Sequence, residues 1–286
     1  YKINSRYGEA SDLKELVDTA HRHGIRILLD FVTSLTTDGS YIQTNHPDWI
    51  LRGDDGKMQR YFPFPDWGWA IDCTNPEVIE YFTEVARYYV DEFDIDGWRV
   101  DSPLNNYDPK NVSGDHSRLN LLRSVKSAIR EVKPYAVLLA EVPGPTFYWG
   151  DLATEAEPLF DEMCEISYNY AFCGFLSEAG YYNPIYPFID PRWEQSFAET
   201  MLSKVAHNRA TSEEFVNFVL NQRILYNRLR ANFIENHDTA RVTQAFPNQH
   251  KALFVLVATM PGVPVVHAGQ EIGATTQGEI GVINWA

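Results

Sequence analysis

The chain has 286 residues, with 39 acidic side chains against 24 basic ones and a formal net charge of −15 at pH 7. Its 44% hydrophobic and 22% charged content is typical of a globular protein, and its length allows one large domain or two small ones. The negative charge argues against nucleic acid or an anionic membrane as a partner, because both would repel the chain. No apolar run approaches the ~20 residues of a membrane-spanning helix, and no signal-peptide pattern opens the chain.

Amphipathic helices and apolar runs alternate along the chain. In the first such unit, Ser11 is expected to cap a helix that ends at Gly24, and an apolar run follows at once. The pattern recurs from Asn75-Pro76, a capping residue followed by a proline. The predicted helices begin near residues 11, 75, 119, 212 and 251. The predicted strands cover residues 25–32, 97–101, 136–141, 164–170, 232–236 and 263–267.

This alternation predicts an α/β fold with a parallel sheet, either doubly wound or closed into a barrel. No glycine-rich phosphate turn follows any strand, and acidic residues stand at the C-terminal ends of several strands. Both features favour a (β/α)8 TIM barrel. Six strands are visible rather than eight, so we expect the barrel to be incomplete in this chain.

Residues 34–72 interrupt the alternation, because they are rich in Gly, Asp, Pro and aromatic residues and too long for an ordinary loop. We interpret them as a small subdomain inserted over the mouth of the barrel, with residues 1–33 and 73–286 forming the barrel itself. Its aromatic residues are expected to form mainly the subdomain's own core, with one or two facing the cleft. These residues are Tyr61, Phe62, Phe64, Trp67 and Trp69.

Three acids follow predicted strands: Asp101, Glu141 and Asp238. One such acid could simply cap the next helix, but three of them, with Arg99 and His237 beside two, favour a shared cleft. Glycosidic cleavage needs one protonated carboxylic acid and one carboxylate that attacks or stabilises the sugar cation. Arg99 lies two residues before Asp101 on a strand, so both side chains face the same way, and we expect Arg99 to hold Asp101 ionised.

The motifs around these acids resemble those of the α-amylase family, glycoside hydrolase family thirteen. The strand ending at Asp101 is similar to the family's G-x-R-x-D strand, and residues 140–144 resemble its acid-bearing strand. Residues 233–238 closely resemble its F-x-x-N-H-D strand. Residues 261–271 resemble its eighth strand, and residues 7–25 the stretch that leads to its third.

The resemblance implies a retaining (β/α)8 barrel in which Asp101 is the nucleophile and Glu141 the general acid/base. Asp238 would hold sugar hydroxyls, and Arg99 and His237 would contact the sugar. The six visible strands would be the third to the eighth. For a retaining mechanism, the carboxyl groups of Asp101 and Glu141 should lie about 5–5.5 Å apart. Two aromatic residues after the acid strand are expected to line a sugar subsite: Tyr148 and Trp149.

The chain departs from the family at the end of the third strand, which normally reads D-x-V-x-N-H. Ser34 and Leu35 stand in place of the Asn and His, and Asp72 replaces the first Asn of the L-N-x-x-N-P signature. The His of the family touches the bound sugar, whereas the Leu35 side chain cannot hydrogen-bond, so we expect weakened or rearranged substrate binding. In the family the Asn before that His is often a calcium ligand, and Ser is a poorer one. We therefore expect no bound cofactor and no calcium at the usual site. The three scattered cysteines also form no metal motif.

The sequence thus predicts a retaining hydrolase acting on α-glucans or maltooligosaccharides, with an α-glucan as its partner. Transfer of glucan units remains an alternative, because some family members that transfer maltosyl units also lack the Asn-His pair. A non-catalytic α-glucan-binding relative is the second alternative. We also expect the chain to be a fragment that lacks the first two strands and whatever follows the eighth, unless residues 1–8 and 278–285 supply substitute strands.

Overall fold

The computed structural model describes residues 2–61, 65–103, 119–141, 164–169, 172, 201–225, 229–239 and 241–275. The described residues up to Glu141, with Cys164 and Glu165, form a first compact unit, and those from Ile166 onward belong to a second. Of the helices in this part of the chain, none is both long enough and apolar enough to span a bilayer. Phe62, Phe64, Tyr148, Trp149 and residues 278–285 lie outside the described residues.

The first unit alternates helices and parallel strands. In chain order it contains α1 (Ala10–Arg22), β1 (Leu28–Phe31), β2 (Leu35–Thr36), α2 (Tyr41–Asn45), β3 (Trp69–Ala70), α3 (Pro76–Phe93), β4 (Gly97–Val100), α4 (Leu119–Val132) and β5 (Val137–Ala140). β4 pairs in parallel with both β1 and β5, and Val100 lies opposite both Phe31 and Ala140. Because of this register, the residues that follow the three strands emerge side by side.

Gly97 allows β4 to approach β5 closely. Its φ of +143° is one that residues with a side chain rarely adopt, and a Cβ there would collide with the backbone carbonyl of Val137. On the face of β4 turned away from Arg99, Trp98 packs against Phe31, with ring centroids 4.7 Å apart, and against Tyr89 of α3. These contacts bury β4 in the core of the unit and leave Arg99 and Asp101 on its other face.

The helix caps partly follow the sequence. Asn75 caps α3 as predicted, because its side chain accepts a hydrogen bond from the Glu77 N–H. The prediction that Ser11 caps α1 is wrong. The cap is Glu9, whose N–H donates to the Asp12 carboxylate at 2.8 Å, and Ser11 lies inside the helix. A charged carboxylate is a stronger acceptor than a hydroxyl, which favours the earlier start.

A buried carboxylate joins the elements that precede the strands of the first unit. Asp96, just before β4, accepts hydrogen bonds from Nε2 of His21 (2.7 Å), Nη1 of Arg26 (2.9 Å), the Ile27 N–H (2.9 Å) and Nζ of Lys133 (3.0 Å). Burial alone would raise the pKa of Asp96, but these donors hold it well below its ordinary value.

The described residues of the 34–72 segment contain a short antiparallel pair, β2 with β3, together with α2 and two 3-10 turns. Tyr61 is buried and stacks on the partly exposed Trp67. The indole of Trp69 donates to Asp38, and the Arg60 guanidinium lies over its ring. Within the described residues, these aromatic side chains therefore contact one another and their own segment.

The second unit contains three further parallel strands among its described residues. In chain order its elements are β6 (Ile166–Tyr168), α5 (Met201–Ala206), α6 (Ser212–Leu225), β7 (Leu229–Asn232), α7 (Val242–Ala245), α8 (His250–Thr259) and β8 (Val263–Pro264). β7 pairs in parallel with β6 and with β8. Thr211 and Glu214 cap α6 reciprocally, so Ser212 is the first helical residue and not the cap that we predicted.

The strand predicted over residues 232–236 is displaced toward the N-terminus. β7 ends at Asn232, and the segment that resembles F-x-x-N-H-D follows it as a turn. The Asn236 N–H donates to the Thr239 hydroxyl and the Asp238 N–H donates to the Asn236 side chain, so these backbone groups bond locally and not to a neighbouring strand. Phe233 and Ile234 are buried in the core of the second unit.

Candidate active site

Asp101 and Glu141 occupy equivalent positions, each directly after a strand. The Asp101 N–H donates to the Phe31 carbonyl, and the Glu141 N–H donates to the Val100 carbonyl. The parallel register of β1, β4 and β5 therefore sets the two acids next to each other. Glu141 is almost fully buried, with 3% of its side chain exposed, and 22% of the Asp101 side chain is exposed.

Arg99 links these two acids. Its Nη1 lies 2.8 Å from Oδ1 of Asp101, and its Nη2 lies 2.8 Å from Oε2 of Glu141. The same Nη1 lies 2.9 Å from Oδ1 of Asp30, the acid in the middle of β1. One guanidinium thus contacts three carboxylates, and the contact between Arg99 and Asp101 expected from their spacing is present.

The pKa of Asp101 is higher than the sequence suggested. Burial, together with the charge of Glu141, raises it from 3.8 to about 6 against the opposing effect of Arg99. Arg99 lowers the pKa of Asp101, which is the direction that we expected, but burial and the charge of Glu141 outweigh it. Asp101 nevertheless remains mainly ionised at neutral pH, because its pKa lies below 7.

Glu141 is held by the residue that follows Asp101. The backbone N–H of Ser102 donates to Oε2 of Glu141 at 3.0 Å, and its hydroxyl donates to the same oxygen at 3.1 Å. Ser102 has a φ of +34°, an unusual conformation for a residue with a side chain. Sequence reasoning missed Ser102, and no sequence signal marks it. It also missed Asp30 as a site residue, although an acid within an apolar strand is a signal of the same kind as the three acids that follow strands.

Asp238 and His237 lie in the second unit. Nε2 of His237 is 3.3 Å from Oδ2 of Asp238, and Asp238 is buried in the turn that Asn236 and Thr239 stabilise. The structure thus brings Arg99, Asp101 and Glu141 together in the first unit. That Asp238 and His237 share a cleft with them stays a prediction.

A buried ion pair supports this turn. Nη1 of Arg241 lies 2.7 Å from Oε1 of Glu235, and the Val242 N–H donates to the other oxygen of Glu235 at 2.6 Å. Arg241 also donates to the Ala268 carbonyl, which connects the turn after β7 to the segment after β8.

Burial lowers the pKa of the nearby His267 to about 4, with the charges of Arg241 and His237 adding to the effect, so His267 is neutral at physiological pH.

Ser34 stands where the family has the Asn that is often a calcium ligand. It is fully buried, its backbone carbonyl accepts the Ile71 N–H, and its hydroxyl has no hydrogen-bond partner among the described residues. No group of three or more His, Cys, Asp or Glu side chains within the described part of the chain is arranged to hold a metal ion.

Curated relatives align with nearly the whole chain. A maltogenic α-amylase from Bacillus acidopullulyticus is 25% identical over 96% of the chain and 43% of its own length. A cyclomaltodextrinase from Thermoanaerobacter pseudethanolicus is 26% identical over 96% of the chain and 44% of its own length. The chain thus spans less than half the length of these relatives.

Solved structures share the fold. A maltogenic α-amylase from Thermotoga neapolitana superposes with a TM-score of 0.69 at 23% identity, over 98% of the chain and 55% of its own. An α-amylase from Lactobacillus plantarum superposes with a TM-score of 0.73 at 23% identity, over 98% of the chain and 59% of its own. The family model for the α-amylase catalytic domain matches residues 55–281, and a model for a hypothetical glycosyl hydrolase matches residues 2–102. The chain therefore belongs to the α-amylase catalytic-domain family, whose (β/α)8 TIM barrel accounts for its parallel strands and preceding helices.

Proposed function

We propose that this chain carries the catalytic centre of a retaining glycoside hydrolase that acts on α-glucans or maltooligosaccharides. The observation that supports this most is the pair formed by Asp101 and Glu141 on the two nitrogens of one guanidinium, at the ends of adjacent strands. Contact of both carboxyl groups with one guanidinium favours the short separation of retaining enzymes over the longer one that leaves room for water.

In the proposed reaction, Asp101 attacks the anomeric carbon while Glu141 protonates the leaving glycosidic oxygen. Arg99 contacts Oδ1 of Asp101, so Oδ2 is the oxygen that attacks. The resulting glycosyl ester is then hydrolysed by a water molecule from which Glu141 removes a proton. Asp238, His237 and Arg99 are proposed to bind the sugar, as are Tyr148 and Trp149.

The substrate class is supported by the relatives, whose names describe maltogenic amylases and cyclomaltodextrinases. Two alternatives remain as outcomes of the same test. Transfer to another sugar instead of water would give longer oligosaccharides, and a non-catalytic α-glucan-binding protein would bind sugar without releasing any product.

The test uses maltoheptaose and chromatography of its products. Wild type is expected to release shorter maltooligosaccharides, whereas Asp101→Asn and Glu141→Gln reduce the rate by at least about 100-fold. Asp18→Asn, on the exposed face of α1, removes the same charge away from the site and serves as the control. An unchanged rate in Asp101→Asn would overturn the assignment, and products longer than the substrate would favour transfer.

We further propose that turnover needs no calcium at the usual family position, because Ser34 replaces the Asn that is often a ligand there and is a poorer ligand itself. Dialysis against EDTA is expected to leave both the rate on maltoheptaose and the melting temperature unchanged. A loss of activity that added Ca²⁺ restores would contradict this proposal.

A further inference from the structure

Donors converge on a single oxygen of Glu141. Among the described residues, Oε2 lies 2.8 Å from Nη2 of Arg99, 3.0 Å from the Ser102 N–H nitrogen and 3.1 Å from the Ser102 hydroxyl. The N–H and the hydroxyl of Ser102, the residue next to the proposed nucleophile, donate hydrogen bonds to this oxygen, and the Arg99 nitrogen forms an ion pair with it. The carboxyl group is almost fully buried, so these contacts act with little competition from bulk water.

This arrangement makes the two oxygens of Glu141 chemically different. A carboxyl oxygen has about two acceptor sites, which the amide N–H and the hydroxyl of Ser102 occupy, and the positive charge of Arg99 at 2.8 Å disfavours a proton on the same oxygen. When Glu141 is protonated, Oε2 is therefore the carbonyl-like oxygen and the proton resides on Oε1.

We propose that Ser102 is a positioning residue that determines which oxygen of Glu141 carries the catalytic proton. The inference rests on the proposed function, in which Glu141 is the general acid. The proton on Oε1 passes to the glycosidic oxygen while the bond between that oxygen and the anomeric carbon breaks. Its electron pair stays on the leaving oxygen, and Oδ2 of Asp101 forms the new bond to the same carbon.

The backbone at Ser102 supports a positioning role independently. A φ of +34° is unfavourable for a residue with a Cβ, and such conformations persist where the surrounding structure imposes them, often at functional sites. This turn directs both the N–H and the hydroxyl of Ser102 at Glu141 directly after β4 ends. Glycine would adopt the same turn with less strain, but it would not supply the hydroxyl.

The test separates proton donation from the rest of the reaction by changing the leaving group. The leaving group of maltoheptaose is a sugar oxygen, which must be protonated as it departs. The leaving group of α-maltosyl fluoride is fluoride, which departs with little need of a proton. Ser102→Ala and Ser102→Gly both remove the hydroxyl and keep the N–H. Ala retains the strained backbone and Gly relieves it, so the pair separates the hydroxyl from the strain.

We expect both variants to lose about 10-fold or more in kcat on maltoheptaose but less than about 3-fold on α-maltosyl fluoride, since only the first reaction needs the acid. The control Ser11→Ala, on an exposed position of α1, should change neither rate. Equal losses on both substrates, or a loss in Ser102→Ala alone, would overturn the inference while the proposed function stands. A wild-type chain that turns over neither substrate would overturn the proposed function and this inference with it.

Discussion

Asp30 and Asp101 share one nitrogen of Arg99. Oδ1 of Asp30 lies 2.9 Å from Nη1, and Oδ1 of Asp101 lies 2.8 Å from the same atom. The Asp30 side chain is 57% exposed, whereas the Asp101 side chain is 22% exposed. Burial is the main cause of the raised pKa of Asp101, and the charge of Asp30 adds to it. The exposed acid on β1 thus affects the titration of the buried acid after β4.

Replacing Asp30 by Asn is expected to lower the pKa of Asp101 from about 6, because a negative charge is removed and Nη1 of Arg99 is left to Asp101. The acid limb of the pH profile of kcat/KM should move to lower pH. Titration of the Asp101 carboxyl by NMR measures the same change without relying on activity. Asp18→Asn should leave both unchanged, and a raised pKa in Asp30→Asn would contradict the expectation.

Asp101 should make the folded chain less stable as the pH rises. Its pKa is higher in the folded state, at about 6, than the ordinary 3.8, so its favourable contribution is present below pH 4 and is lost as the pH rises through 6. Asp101→Asn lacks this dependence. The free energy of unfolding of the variant relative to wild type should therefore increase by roughly 2.4 kcal/mol between pH 4 and pH 8. Urea titrations at both pH values measure it, and a decrease would contradict it.

Asp96 should be essential for the stability of the first unit. The Asp96 side chain is only 7% exposed, and Asp96→Asn leaves Arg26 and Lys133 without its counter-charge, which is expected to cost about 3 kcal/mol. Asp94→Asn is the matched control. Asp94 contacts the same His21 and Lys133 but is 59% exposed, so its loss should cost under about 1 kcal/mol.

The contribution of Asp96 also has a defined pH dependence. Because its folded-state pKa lies well below the ordinary 3.8, the carboxylate stabilises the fold above that pH, and this contribution is lost on acidification below it. Thermal melts of wild type and Asp96→Asn should therefore converge at low pH. Equal losses in Asp94→Asn and Asp96→Asn at neutral pH would show that burial does not distinguish the two acids.

In the second unit, Glu235→Gln is expected to destabilise the chain by about 3 kcal/mol, because the Arg241 guanidinium would stay buried without its counter-charge. The turn that carries Asp238 should loosen with it. Glu271→Gln is the control, since Glu271 is exposed and its carboxylate accepts a hydrogen bond from the Gly269 N–H. A melting temperature of Glu235→Gln equal to that of the control would contradict this expectation.

Much of the architecture was predictable because it depends on local patterns. Helix stripes, the capping by Asn75 and the apolar runs predicted the alternation of helices and strands, and the family membership agrees with the predicted barrel. The first and last residues of the helices and strands were less predictable. Glu9 and Thr211 replaced Ser11 and Ser212 as caps, because the acidic side chains of Asp12 and Glu214 complete those caps. β7 ends before the predicted strand does, because the side chains of Thr239 and Asn236 accept hydrogen bonds from the backbone N–H groups that follow it.

The sequence by itself determined that Arg99 and Asp101 lie on one face of a strand, since side chains in a strand alternate with a period of two. It also marked Glu141 as an acid at a strand end. Only the tertiary structure decided which groups surround them, because the register between β1, β4 and β5 joins residues that are 69 and 39 positions apart in the chain. That pairing places Asp30 on Arg99 and Ser102 on Glu141, and burial then raises the pKa of Asp101 more than Arg99 lowers it. Spacing along a strand determines which way a side chain points, whereas the groups packed around it in space determine its pKa.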